Sequence, residues 1–85
     1  MISTYPVSLL NIEAMTNADL KKIGENIRKA REKKKMSQTE LADRVGWDLP
    51  NVSRLESGGT NATAKTLIKV AKAIGINPGE FFKGI

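Results

Sequence analysis

There is no cysteine and no histidine among the 85 residues of the chain. The first absence removes disulfides and thiolate metal sites and makes a reducing cytoplasm the natural setting. The second removes the commonest general base and metal ligand. Aromatic residues make up only 5% of the chain, so any core must be built from aliphatic side chains. No apolar run approaches the roughly 20 residues that a membrane-spanning helix needs, and no signal-peptide pattern appears, so no membrane partner is expected. There is no glycine-rich phosphate loop and no nucleophile–base arrangement. The carboxylates Asp43, Asp48 and Glu56 are accounted for by helix capping or pairing. Neither an enzyme nor a cofactor is therefore expected.

What is present is basic charge and helical periodicity. Fourteen Lys and Arg against nine Asp and Glu give a net charge of +5. All fourteen basic residues lie between Lys21 and Lys83, where only seven acids fall, so that segment carries +7. A small, strongly basic domain suits nucleic acid, although a merely solvated surface has the same composition. The length allows one small domain, and 40% hydrophobic residues allow a modest core. An all-α bundle of about five helices is the economical solution.

Residues 1–16 form an N-terminal arm or tail. Their run Tyr5-Pro6-Val7-Ser8-Leu9-Leu10-Asn11-Ile12 fits either a short extended arm against a partner or a loosely ordered end. Residues 17–85 form the domain. The first helix is expected from Asn17 or Asp19 to Lys34, capped by Thr16 or Asn17, with Leu20, Ile23, Ile27 and Ala30 as its inner stripe. Ser37 caps a second helix, and Glu40 three residues later makes a capping box. Leu41, Ala42 and Val45 share one face of that helix, and Gly46 ends it. Asp48 is the N-cap of a third helix, from which Val52 and Leu55 turn inward before Ser57-Gly58 stop it. Thr63 caps a fourth, over Ala64 to Ile74, with Leu67, Ile68, Val70, Ala71 and Ile74 apolar and Gly75 as its stop. Asn77 caps a fifth from Pro78. Of Phe81 and Phe82, one enters the core and the other is left for a second subunit.

Helices two and three are too short to be stable alone, because isolated helices below about 12–15 residues are marginal in water. They must pack on a scaffold through Leu41, Val45, Val52 and Leu55, which leaves Gln38, Asn51, Ser53 and Arg54 facing out. Two such helices joined by a tight glycine turn form a helix-turn-helix, whose second helix is built to lie in a DNA major groove.

The string Ser37-Gln38-Thr39-Glu40-Leu41-Ala42, then Val45-Gly46, then Val52-Ser53-Arg54-Leu55-Glu56-Ser57-Gly58 strongly resembles the phage repressor/Cro-like (lambda-repressor-like, XRE-type) helix-turn-helix family. The resemblance covers roughly residues 20–83. It implies a lambda-repressor-like DNA-binding domain and double-stranded DNA as the partner. It further implies that Gln38 bonds a DNA phosphate and braces a residue of the recognition helix, where the alternative is an exposed glutamine with no partner. Arg31 is implied to pair with Glu56 in a partly buried bridge that orients helix three without reading DNA.

Base recognition then falls to the first turns of helix three, around Leu49, Pro50, Asn51, Ser53 and Arg54. Arginine can offer two donors at once to guanine O6 and N7, and asparagine can read adenine in the same bidentate way. The alternatives for Arg54 are a phosphate contact or a salt bridge to Asp43 or Glu40. Leu49 suits either a thymine methyl or the hydrophobic rim. Phage repressors often place a glutamine pair where this chain has Leu49-Pro50, and proline makes Pro50 the expected start of helix three with Leu49 as its boundary. Ser57, Gly59, Thr60, Asn61 and Lys65 flank the sugar-phosphate backbone or form a plain turn. Trp47 either stacks on a base or covers the corner between helices two and three.

The function expected is a sequence-specific regulator of transcription, a homodimeric repressor on a palindromic operator. The alternatives are an antitoxin, with a toxin as protein partner and the N-terminal arm or the Phe81–Ile85 tail as its binding segment, and a restriction–modification controller protein.

Overall fold

A computed structural model describes residues 16–60 and 62–85. The arm or tail expected over residues 1–16 lies, but for Thr16, outside the described residues, as does Asn61. Among the described residues there are four α-helices and no strand: α1 (Asn17–Lys33), α2 (Gln38–Val45), α3 (Leu49–Ser57) and α4 (Ala64–Ile74). About five helices were expected. The fifth segment, Pro78–Phe82, closes as a 3-10 helix instead. Five residues opening with proline, which has no N–H to give, are too short for an α-helical ladder. The amide of Glu80 bonds the carbonyl of Asn77 at 3.0 Å in the tighter i to i+3 register.

Each helix starts on local chemistry. Thr16 makes a full capping box with Asp19: the Asp19 amide donates to Thr16 Oγ1 at 3.1 Å, and the Thr16 amide to Asp19 Oδ2 at 3.1 Å. At α2 only half of the expected box forms. The Glu40 amide donates to Ser37 Oγ at 3.0 Å, but the Glu40 carboxylate takes a 2.8 Å hydrogen bond from Arg44 Nη2. An arginine one turn along offers a charge-assisted bond that the neutral cap amide does not match. Thr63 caps α4 through the Thr66 amide at 3.1 Å.

The four helices end in one way, with a left-handed residue after the last turn. Gly46, Gly58 and Gly75 serve at α2, α3 and α4 with φ of 73°, 81° and 87°. At α1 the position is filled by Lys35, with φ 56°, and the Met36 amide returns to the Arg31 carbonyl at 3.1 Å. This is the Schellman arrangement, in which orphan carbonyls of the last turn are met by the chain leaving it.

The apolar faces meet in one core. Ile23 and Ile27 of α1, Leu41 of α2, Val52 of α3, Leu67 and Val70 of α4 and Phe81 of the 3-10 helix are all almost wholly buried. Each such side chain contributes about 1.5–3 kcal/mol by leaving water. α1 lies against α3 and the 3-10 helix, while α2 bridges α3 and α4. One sequence expectation is corrected here. Ile68 is 44% exposed and off the inner face of α4, because Leu67, Val70, Ala71 and Ile74 already fill that face. Phe82 is half-buried against the same core as Phe81.

Gly24 sets the distance between α1 and α3. A Cβ there would lie 2.6 Å from the Leu55 carbonyl oxygen and closer still to that of Glu56, so the two backbones touch without an intervening side chain. Asn26, one turn-face away, donates from Nδ2 to the carbonyls of Phe81 and Lys83, both at 2.9 Å. These bonds fasten the C-terminal segment to α1.

Candidate nucleic-acid interface

The recognition segment begins at the α2–α3 turn. Gly46 takes the left-handed conformation, and the Trp47 amide closes onto the Ala42 carbonyl at 2.9 Å. Asp48 is the N-cap residue of α3, but its carboxylate makes no capping hydrogen bond. A cap side chain receives the amide of the second or third helical residue. Here the second is Pro50, which has none, and the amide of the third, Asn51, bonds the Asp48 carbonyl at 3.0 Å. The helix starts at Leu49, one residue before the expected start at Pro50. Proline is tolerated at this position because its nitrogen needs no intrahelical partner in the first turn.

Two sides of α3 then separate cleanly. Val52, Leu55 and Glu56 are buried; Leu49, Pro50, Asn51, Ser53, Arg54 and Ser57 are exposed. On the exposed side, Arg54 Nη2 donates to Asn51 Oδ1 at 2.7 Å. Among the described residues no ion pair involves Arg54: Glu40, one of the carboxylates considered for it, is held by Arg44 at 2.8 Å. Ser57 Oγ donates to the Arg54 carbonyl at 3.0 Å, and the Gly59 amide to the same carbonyl at 2.9 Å. Ser57 and Gly59 are thus drawn into the end of α3. Thr60 and Lys65 are exposed beyond it.

On the buried side, Arg31 and Glu56 form a bidentate pair. Arg31 Nε donates to Glu56 Oε2 at 2.7 Å and Nη2 to Oε1 at 3.0 Å. The third edge of the guanidinium is used as well, since Nη1 donates to the Met36 carbonyl at 2.7 Å. Gln38 Nε2 adds a 3.0 Å bond to Glu56 Oε1, so the half-buried glutamine has a protein partner on α3. The hydrogen bond to Glu56 raises the Arg31 pKa above its ordinary value despite the opposing effect of burial. No buried side-chain polar atom of the described residues lacks a hydrogen bond. One network therefore ties α1, the α1–α2 turn, α2 and α3 together beneath the exposed face.

Trp47 is half-buried against the core at the α2–α3 corner. It shares an open cavity of about 140 Å³ with Asn51, Leu55, Thr60 and Thr66, which brings the turn, α3 and the start of α4 to one rim. Three structural residues were missed in the sequence. Gly24 and Asn26 act on partners far along the chain, and only the close helix contact reveals them. Arg44 donates from Nη1 to the Ala73 carbonyl at 3.1 Å and so joins α2 to α4; a lone arginine on an exposed face carried no such signal.

A short helix packed under a second, at a glycine turn and with a solvent-facing polar row, defines a helix-turn-helix protein. The helix-turn-helix family model matches residues 27–81, and the chain belongs to that family, of the XRE type. Over 61 residues it is 34% identical to an HTH-type transcriptional regulator of Sinorhizobium fredii. That match covers 72% of this chain and 43% of the relative, so the chain spans less than half that protein's length. The fold superposes on the restriction-modification controller protein C.AhdI of Aeromonas hydrophila with a TM-score of 0.73 and 38% identity, covering 76% of this chain and 98% of that one. A point mutant of the controller protein C.Esp1396I gives 0.71 and 30% identity, over 81% and 87% of the two chains.

Proposed function

We propose that this chain is a sequence-specific, double-stranded-DNA-binding regulator of transcription. It acts in the cytoplasm as a homodimeric repressor on a palindromic operator, with residues 17–85 as the DNA-binding domain. The observation that carries the reading is the division of α3. Its inner side is fixed to the core and to Arg31, while its outer side offers Leu49, Pro50, Asn51, Ser53 and Arg54 to a groove. Gln38 at the start of α2, with Ser57 at the end of α3 and Gly59, Thr60, Asn61 and Lys65 after it in the chain, flanks the phosphates and sets the register. Trp47 covers the rim of this surface. A single domain of this size presents limited contact area, and two half-sites one helical turn apart are the usual route to useful affinity. Among the described residues no helix is long and apolar enough to cross a membrane.

Within this class, a restriction–modification controller is favoured over the antitoxin reading, on the likeness to C.AhdI across 98% of that protein. A methyltransferase gene beside the coding sequence supports the controller; a toxin-sized gene there supports the antitoxin. The biochemical test is enrichment from a randomised duplex pool at fixed salt. A two-fold-symmetric site is the expected product. Salt-sensitive binding with no enriched sequence overturns the reading, because phosphate contacts alone give that behaviour.

A further inference from the structure

The hydrogen bond between Asn51 and Arg54 changes what each residue has to offer a base. Reading adenine takes both ends of the asparagine amide: the oxygen accepts from N6 and the NH₂ donates to N7. In this structure one of the two lone pairs of that oxygen is already used, and the amide is turned toward Arg54, since Asn51 Oδ1 accepts from Arg54 Nη2 at 2.7 Å. Both side chains are exposed and three residues apart, which puts them on one face of α3. The guanidinium has five N–H donors in a fixed fork. With one committed to Asn51, four remain, enough for the two-donor contact to guanine O6 and N7. The carboxylates do not compete for it. Among the described residues no ion pair involves Arg54, Glu40 being paired with Arg44 and Glu56 with Arg31.

We infer that Asn51 is a positioning residue: it holds Arg54 for a guanine and does not itself select adenine. The inference rests on the DNA-regulator reading above. In this arrangement the pair presents mainly donors, with one acceptor lone pair of Asn51 already turned to Arg54. The Arg54 fork meets guanine, and the Asn51 NH₂ is left for an acceptor beside it, so each half-site carries one guanine that depends on two residues. Fixing the guanidinium before contact removes rotamer freedom that a lone surface arginine loses on binding.

The test is enrichment from a randomised duplex pool with the wild type, Arg54→Ala, Asn51→Ala and Asn51→Asp. Melting of each variant confirms that these exposed changes leave the fold intact. Asn51→Asp keeps the acceptor for Arg54 but has no NH₂, so it preserves positioning and abolishes the bidentate adenine contact. The wild type should prefer guanine at one position per half-site by about 5- to 150-fold, the range for a bidentate arginine contact. Arg54→Ala should erase that preference, and Asn51→Ala should reduce it about threefold or more at the same position. Asn51→Asp should restore it, even if total affinity falls from repulsion by phosphate. If Asn51→Ala and Asn51→Asp both lose an adenine and leave the guanine untouched, the inference is wrong while the regulator reading stands. If the wild type enriches no sequence, both fail.

Discussion

Arg31 reaches the inner side of α3 from α1, Arg54 stands on the outer side of α3 itself, and each makes a 2.7 Å hydrogen bond to a residue of that helix. On the buried side the acceptor is a carboxylate, and each of the three guanidinium nitrogens is engaged by Glu56 or Met36. On the exposed side the acceptor is a neutral amide, and four donors remain. Bond length does not distinguish the two arginines. Burial and the number of donors left unused do. An arginine buried with every nitrogen engaged inside the protein holds the helix in place; an exposed one with nitrogens left over can meet a ligand. Arg44 is instructive between them. Its 2.8 Å pair with Glu40 is as short as the buried one, yet both side chains are about half-exposed, 51% and 46%, against 8% and 3% for Arg31 and Glu56.

The comparison is broken most severely by removing one buried partner. Arg31→Ala or Glu56→Ala leaves the other charge buried and unpaired and should cost about 3–5 kcal/mol of stability. Thermal or urea unfolding measures this, and an unchanged melting temperature for either variant contradicts the assignment. Gly24→Ala should come next. The added methyl meets the carbonyls of Leu55 and Glu56, and pushing α1 from α3 should cost about 1–3 kcal/mol or more. It should also weaken operator binding, since α3 is displaced with its contacts. Arg54→Ala sharpens the contrast from the other side. Its stability should stay within about 0.5 kcal/mol of wild type, while discrimination at one base per half-site falls by about 1–3 kcal/mol. Arg44→Ala should lower stability by no more than about 1 kcal/mol, as screened surface pairs do, although its bond to Ala73 adds to the loss. The smallest effect is a gain. Lys35→Gly relieves a left-handed backbone that glycine adopts freely and should stabilise by a few tenths to about 1 kcal/mol, read as a higher urea midpoint at constant slope.

Much of this architecture is local, and what is local was legible. Ser37 and Thr63 read as caps, Thr16 as one of two candidates with Asn17, and Gly46, Gly58 and Gly75 as stops, because each works through hydrogen bonds or dihedrals within a few residues. The signals failed where partners are remote or compete. Lys35 gives no hint that it will take a left-handed turn, since lysine lacks the glycine signature. Gly24 reads as a weak point in a helix until α3 is laid against it. Asp48 has the right identity for a capping side chain, but Pro50 removes one amide and the backbone takes the next. Ile68 fits the period of an inner face already full. The outer face of α3 was legible as a set of candidates from Leu49 to Arg54. The link between Asn51 and Arg54 was not, because two side chains each able to read a base give no sign in sequence that one will bind the other.

The backbone contact at Gly24 has a consequence for how binding is divided between order and contact. With no side chain between the two backbones at Gly24, there is no rotamer at that contact to rearrange, and the helix is already seated before DNA arrives. What remains to be immobilised is a handful of exposed side chains, Leu49, Ser53 and Lys65 among them. The ordering entropy of association is thus confined to the surface layer, with the scaffold's share settled when the chain folds.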